Sequence, residues 1–281
     1  MFPIDFSNPW IETAAGARRV ANGWLTLVAA CVVAAGSVVG GGWLIERLNL
    51  NNPVLIYLIV LGPYIAASLV AIFAVEGRAW PRADGPPPVK AAAGLVTGLV
   101  AFFVAVGLSQ ACGVLKPVAT PGMTVAAVAL SLGLMLFQVG AEELLFRGWL
   151  QPVLCSHWGP WVGGAVTAAV FSLMHLIKLP FSILGLVNIL LAGLVFGALA
   201  LRTGGLLAPF FAHFAWNYTE ANIMGLSPNP GRDGFGSWFD FDLTGPAWLG
   251  GAVDGLNESL PALAALGLWL AAVIFIAPRR T

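Results

Sequence analysis

The sequence predicts an all-α, polytopic integral membrane protein, with about eight transmembrane helices around a polar intramembrane cavity. Three observations carry this. Hydrophobic residues make up 59% of the chain and charged residues 9%, with a mean hydropathy of +0.88, whereas soluble domains carry about 25% charged residues. Apolar runs recur at 24–45, 54–75, 91–114, 123–146, 160–177, 181–201, 205–223 and 262–277, and a bilayer-spanning helix needs roughly 20 residues. A few titratable side chains lie inside three of those runs, where each ionised group costs about 2.5–3.5 kcal/mol at a helix centre. They must therefore meet one another or water, which is what a polar cavity provides.

The elements follow in order. The first 23 residues carry Asp5, Glu12 and the helix breakers Pro3 and Pro9, unlike the basic start and short apolar core of a cleaved signal, so a retained N-terminus is expected. Most breaks between runs have turn chemistry: Asn49 to Pro53, Arg78 to Pro88, Lys116 to Pro121, Pro152 to Pro160, Lys178 to Pro180, and Thr203-Gly204-Gly205. The fifth and sixth runs, split by the tight Pro180 break, are expected as two spans or as one bent hairpin. Residues 224–261 form a long extracytoplasmic loop with Asp233, Asp240, Asp242, Asp254 and Glu258, and with Trp238, Phe239, Phe241 and Trp248 able to press it onto the membrane or over the cavity. The whole of 1–281 reads as one membrane domain with its chemistry in 123–223.

Lys and Arg counts orient the chain. With the N-terminus inside, Arg18, Arg19, Arg78, Arg82, Lys90, Arg147, Arg202, Arg279 and Arg280 face the cytoplasm, against Arg47, Lys116, Lys178 and Arg232 outside. Both termini are thus expected in the cytoplasm. Trp24, Trp43, Trp158 and Trp161 sit at run ends, as interface anchors or as helix-packing residues. Gly36/Gly40, Gly94/Gly98 and Gly193/Gly197 have the spacing of close helix packing within the bundle. The Ala, Gly and Trp bias reads as a bacterial chain in a cell membrane. The 13 basic and 13 acidic residues balance, so nothing points to nucleic acid. Cys31, Cys112 and Cys155 are scattered through apolar sequence without metal or redox spacing.

Three polar motifs carry the chemistry. Glu143 and Arg147 are four apart with the acid first, the favourable order for a helical ion pair. Glu142 points about 100° away, so it is left to the cavity and suited to act as a general base. Phe171 with His175, and His213 with Asn217, repeat the four-residue spacing in two further runs. Two histidines and an acidic pair in separate spans are harder to read as packing than one histidine would be. Glu220, seven residues beyond His213, reads as a further cavity group or, by preference, as a residue near the span end.

Read together, Glu142-Glu143-Leu144-Leu145-Phe146-Arg147, Phe171-Ser172-Leu173-Met174-His175 and His213-Phe214-Ala215-Trp216-Asn217 resemble the CAAX protease and bacteriocin-processing (Abi) family of intramembrane endopeptidases. The stretch from Gly193 to Asn217, with Arg202-Thr203-Gly204-Gly205, is similar to that family as well. The resemblance implies a glutamate-dependent peptidase acting on a peptide or membrane-protein substrate in the lipid bilayer. In it Glu142 and His175 would activate water, His213 and Asn217 would stabilise the oxyanion, and Glu143 with Arg147 would support the site. Phe171 is expected to pack. No cofactor is expected.

The residues leave alternatives. Glu142, His175 and His213 also resemble a zinc set, although HExxH is absent and the ligands would come from three helices. A non-catalytic immunity or peptide-binding protein of the same family is the second class. A transporter finds no support in paired half-helices or an inverted repeat. If every span were straight, Glu142, His175 and His213 would lie at different depths. The fourth helix is therefore expected to be long and tilted, running on toward Pro152, with a bent or shifted fifth helix as the other solution.

Overall fold

The computed structural model describes residues 8–19, 21–79, 86–119, 122–177, 182–226, 235–250, 252 and 255–275. Pro3, Asp5, Arg82, Lys178 with the Pro180 break, Arg232, Asp233, Asp254, Arg279 and Arg280 lie outside those residues.

The helices are α1 (Pro9–Ala15), α2 (Gly23–Arg47), α3 (Pro53–Leu69), α4 (Pro87–Ala111), α5 (Val125–Glu143), α6 (Gln151–Met174), α7 (Ile183–Thr203), α8 (Leu207–Tyr218) and α9 (Leu260–Phe275). π-helical turns continue α3 over Val70–Val75, α5 over Leu144–Leu150 and α8 over Thr219–Ile223. Their starts are written locally. Asn8, Asn22, Asn52, Thr124 and Ser182 each accept backbone N–H groups from the first turn of the helix that follows, satisfying donors that have no intrahelical partner. Gly204, at φ 65°, ends α7 in the left-handed conformation that glycine adopts without a Cβ clash.

One expectation is corrected here and another narrowed. Pro9 does not break a helix but opens α1 in its first turn behind the Asn8 cap, where the missing N–H costs nothing. The break expected over Pro152 to Pro160 is present but falls at the far end of that interval, not at Pro152. The π turn over Leu144–Leu150 leads directly into α6, and its shifted hydrogen-bond ladder accommodates a residue that cannot donate. The break comes only at Gly159, φ 77° and ψ 158°, followed by Pro160.

The protein is an all-α membrane protein. By length and composition, Gly23–Arg47, Pro53–Val75, Pro87–Ala111, Val125–Ile177 and Ile183–Thr203 are long and apolar enough to cross a membrane, and Leu260–Phe275 is a shorter apolar helix. The fourth of these is 53 residues long and reverses at Gly159.

Two large apolar cores organise the described residues, beside a small cluster of Met135, Val139 and Ala221. One gathers Phe102 of α4, Phe196 of α7, Trp216 of α8 and Leu266 and Trp269 of α9. The other gathers Ala34 of α2, Tyr64 of α3, Leu145 and Phe146 after α5, and Leu154 and Phe171 of α6. The small-residue spacings divide. A Cβ on Gly94 or Gly98 would fall 2.2 Å from the Ala208 carbonyl oxygen or 2.5 Å from that of Ala212, so α4 and α8 touch backbone to backbone. A Cβ on Gly193 would lie 3.2 Å from Ala168, and one on Gly197 3.0 Å from Gln151 Oε1. Gly36 and Gly40 have nothing within 4 Å of such a Cβ and instead line an open groove of about 350 Å³ between α2 and α3. Gly94→Val is therefore expected to lower stability by roughly 3 kcal/mol, the upper end of ordinary overpacking. Gly36→Val should leave it within about 0.5 kcal/mol, both read from unfolding in detergent.

The long loop is more structured than its composition foretells. Strand β2 (Phe241–Leu243) pairs antiparallel with β1 (Leu115–Pro117), matching Leu115 with Leu243, Lys116 with Asp242 and Pro117 with Phe241. Trp238 N–H donates to the Asn222 carbonyl and Phe239 N–H to that of Ile223, which ties the loop to the end of α8. Phe241 packs on the core, while Trp238, Phe239 and Trp248 are exposed. Burial, with Asp242 adding to it, pushes the Asp240 carboxyl above its usual range.

Candidate active site

The hairpin at Gly159 sets the level of the first two motifs. Only glycine takes that backbone conformation without strain. The turn folds the two arms so tightly that a Cβ on Gly163 would lie 2.5 Å from the Cys155 nitrogen. Farther along the same arms, the rings of Phe146 and Phe171 meet edge to face at 5.1 Å. These two residues are nearly equidistant from Gly159 along the chain. One helical turn beyond each stand Glu142 and His175, which the antiparallel pairing brings to the same depth. The fourth helix, expected to run on toward Pro152, continues to Trp158 before the reversal at Gly159.

Glu143 is the hub of the polar cluster. Its Oε1 accepts from Arg147 Nη1 at 3.0 Å and from His213 Nδ1 at 2.9 Å. Arg147 Nη2 donates to the Gly193 carbonyl at 3.1 Å, across the seam that the missing Gly193 Cβ keeps close. The guanidinium lies 4.6 Å from the Phe171 ring centre and 5.5 Å from that of Phe196, which belong to the two different cores. Glu143 and Arg147 are 1% and 2% exposed. A pair that deep is held by geometry and hydrogen bonds because solvent cannot compensate either charge.

His213 is fixed on three sides. Phe196 stacks on its ring at 4.6 Å and 17°, Phe171 meets it edge-on at 6.1 Å, and Glu143 takes its Nδ1 proton in a hydrogen bond. A carboxylate bound to one imidazole nitrogen fixes the ring's tautomer and orientation. The other nitrogen, Nε2, then faces Glu142 Oε2 at 3.8 Å, too far for a direct hydrogen bond. Glu142 is turned by Gln138, whose Nε2 donates to Oε1 at 3.1 Å. His175 donates through Nδ1 to the Phe171 carbonyl at 2.9 Å, which leaves Nε2 as its basic nitrogen, and its ring touches Phe171 at 5.1 Å.

The structure therefore draws Glu142, Glu143, Arg147, Phe171 and His213 into one cluster, with His175 attached through Phe171. Asn217 is half-buried one turn beyond His213. Phe171 packs, as its type suggested, but it also touches both imidazoles and the guanidinium. Two assignments change. Glu143 serves His213 as well as Arg147. Glu220, read by preference as a residue near the span end, does lie in the π turn that ends α8, but it is fully buried and accepts from Asn257 Nδ2 at 3.3 Å.

Sequence reasoning missed Gln138, Phe196 and Tyr64, the last buried on α3 and close enough to feel the charge of Glu142. Gln138 could have been found as a polar side chain one turn before Glu142. Phe196 and Tyr64 gave no signal in apolar runs. Among the described residues no three of His, Cys, Asp and Glu are grouped as ligands of one metal ion.

Beneath the cluster, Arg147 Nε and Gln151 Oε1 are buried without a hydrogen-bond partner. Both residues line a cavity of about 10 Å³, closed from below by Asn8 and Trp10. That volume suits about one water molecule.

Comparison with known families closes on the same segment. Residues 124–219 match the family model described as Rce1-like, type II CAAX prenyl endopeptidase. This segment is similar to that family. It spans all three motifs and the elements that converge on Glu143, from the cap of α5 to the end of α8. Within the same comparisons, the chain is 34% identical over 87 residues to a protein of Escherichia coli described as an uncharacterized 24.3 kDa protein, which covers 30% of this chain and 37% of that one. The chain thus spans little more than a third of that relative's length. No solved structure matches the chain.

Proposed function

We propose that the protein is an intramembrane endopeptidase that hydrolyses a peptide bond of a peptide or membrane-protein substrate with a directly activated water. The observation that carries this is the shared Glu143 oxygen, which holds Arg147 and the Nδ1 of His213 so that Nε2 faces Glu142. The Rce1-like match over 124–219 supports the same reading.

In this mechanism Glu142 and the basic Nε2 of His175 take the proton of a water whose oxygen attacks the substrate carbonyl. The developing oxyanion receives hydrogen bonds from the Asn217 amide and from His213. For His213 to donate through Nε2 both of its ring nitrogens must carry protons, with Nδ1 donating to the Glu143 carboxylate. Donors fixed in advance and away from water are what electrostatic stabilisation of an oxyanion requires. The proton held by Glu142 then passes to the departing amine as the C–N bond breaks. Arg147 keeps Glu143 in place.

The proposed setting is a bacterial cell membrane crossed eight times, with the Gly159 hairpin giving two spans and α8 and α9 completing the count. Both termini face the cytoplasm and the cluster lines a polar cavity within the bilayer. The test is reconstitution of the full chain in liposomes with peptides extracted from membranes. New peptide termini are expected to form, and to keep forming in the presence of a strong chelator. Loss of cleavage in chelator and its return with zinc would overturn the mechanism.

A further inference from the structure

We infer that Gln138 is a positioning residue for the reaction, acting through Glu142; the inference rests on the peptidase reading above. Glu142 has two carboxylate oxygens and the structure gives them different surroundings. Oε1 accepts from Gln138 Nε2 at 3.1 Å, while Oε2 faces His213 Nε2 at 3.8 Å. Gln138 lies one turn before Glu142 on α5, so its amide reaches the carboxylate from the same helix face. An ionised carboxylate accepts only, so the amide must present its NH₂ group, and a flipped amide would set two acceptors against each other.

This contact settles which oxygen works. With Oε1 engaged, the side chain cannot rotate freely about its last bond, and Oε2 is the oxygen presented to water and to the imidazole. The charged and titratable groups around Glu142 are Glu143 and Arg147 in its own helical run, Tyr64 from α3 and His213 from α8, with His175 at the same level across Phe171. Arg147 and the Nδ1 of His213 are both committed to Glu143. Gln138 is therefore the neutral donor that serves Glu142.

The test uses the full chain in liposomes and a quenched-fluorescent peptide carrying a cleavage sequence found among the membrane-extracted peptides of the assay above. Gln138→Met keeps the length and removes the donor. Gln138→Glu keeps the shape but sets a second carboxyl beside Glu142, which must then repel it or share a proton with it. Positioning through the donor predicts that kcat falls roughly tenfold in Gln138→Met and roughly a hundredfold in Gln138→Glu, with KM and the unfolding midpoint unchanged in both. A packing role predicts the opposite order, because glutamate is the closer shape. Unchanged kcat in both variants, or a loss larger in Met than in Glu, overturns the inference. Absence of cleavage by the wild type, or equal cleavage by Glu142→Gln, overturns instead the peptidase reading beneath it.

Discussion

Glu142→Gln is expected to leave a folded protein whose cleavage rate has fallen by about a thousandfold. The substitution changes neither length nor volume, and the side chain is 12% exposed, so packing gives it little to disturb. Its partner Gln138 can still donate to an amide oxygen at the same place. What disappears is the carboxylate, and with it the acceptor for the water proton. A positioned general base contributes about 10²–10⁴ in rate, and the loss should be near the middle of that range because His175 remains. The measurement is kcat in liposomes together with the unfolding midpoint in detergent. Wild-type turnover in this variant would rule out catalysis through Glu142, and a fallen midpoint would mean that the carboxylate is structural.

Arg147→Met is expected to fail differently, losing about 3–5 kcal/mol of stability along with activity. Arg147 is buried between the two apolar cores, with Phe171 on one side and Phe196 on the other. Its fork satisfies Glu143 through Nη1 and the Gly193 carbonyl through Nη2. Methionine fills the space but leaves Glu143, 1% exposed, with His213 alone. Lysine should not rescue it, since a single ammonium on a flexible stem cannot reproduce the planar fork. The pairing makes a sharper prediction. Adding Glu143→Gln to Arg147→Met removes the uncompensated charge and should restore part of the lost stability, while cleavage stays low because His213 has lost the carboxylate on Nδ1. Chemical unfolding of the two variants in detergent decides it; equal midpoints for Arg147→Met and wild type would show that the pair does not form.

Much of the molecule was legible from local chemistry. The apolar runs beginning at 24, 54 and 123 fall within two residues of the starts of α2, α3 and α5, because hydrophobic length is a local property of the chain. Glu143 and Arg147 declared their ion pair through spacing alone. Pro9 was misread, since whether a proline breaks a helix depends on which hydrogen bond its position would have donated. The glycine pairs show the same limit. Gly94/Gly98 and Gly36/Gly40 share a spacing, yet one pair lies against the α8 backbone and the other borders a groove. Spacing fixes that two residues share a helix face but not what that face meets.

The sequence by itself determined that this chain is an all-helical membrane protein, where its helices lie, and which motifs carry its polar chemistry. It could do so because hydrophobic transfer, capping and helical spacing act over a few neighbouring residues. Tertiary structure decided that Glu142 and His175 share a depth, that Glu143 also holds His213 from 70 residues away, and that Gln138 turns Glu142. Those facts depend on one reversal at Gly159 and on backbones that approach closely at Gly94, Gly98 and Gly193. Such contacts follow from how whole helices pack, and no local propensity encodes them.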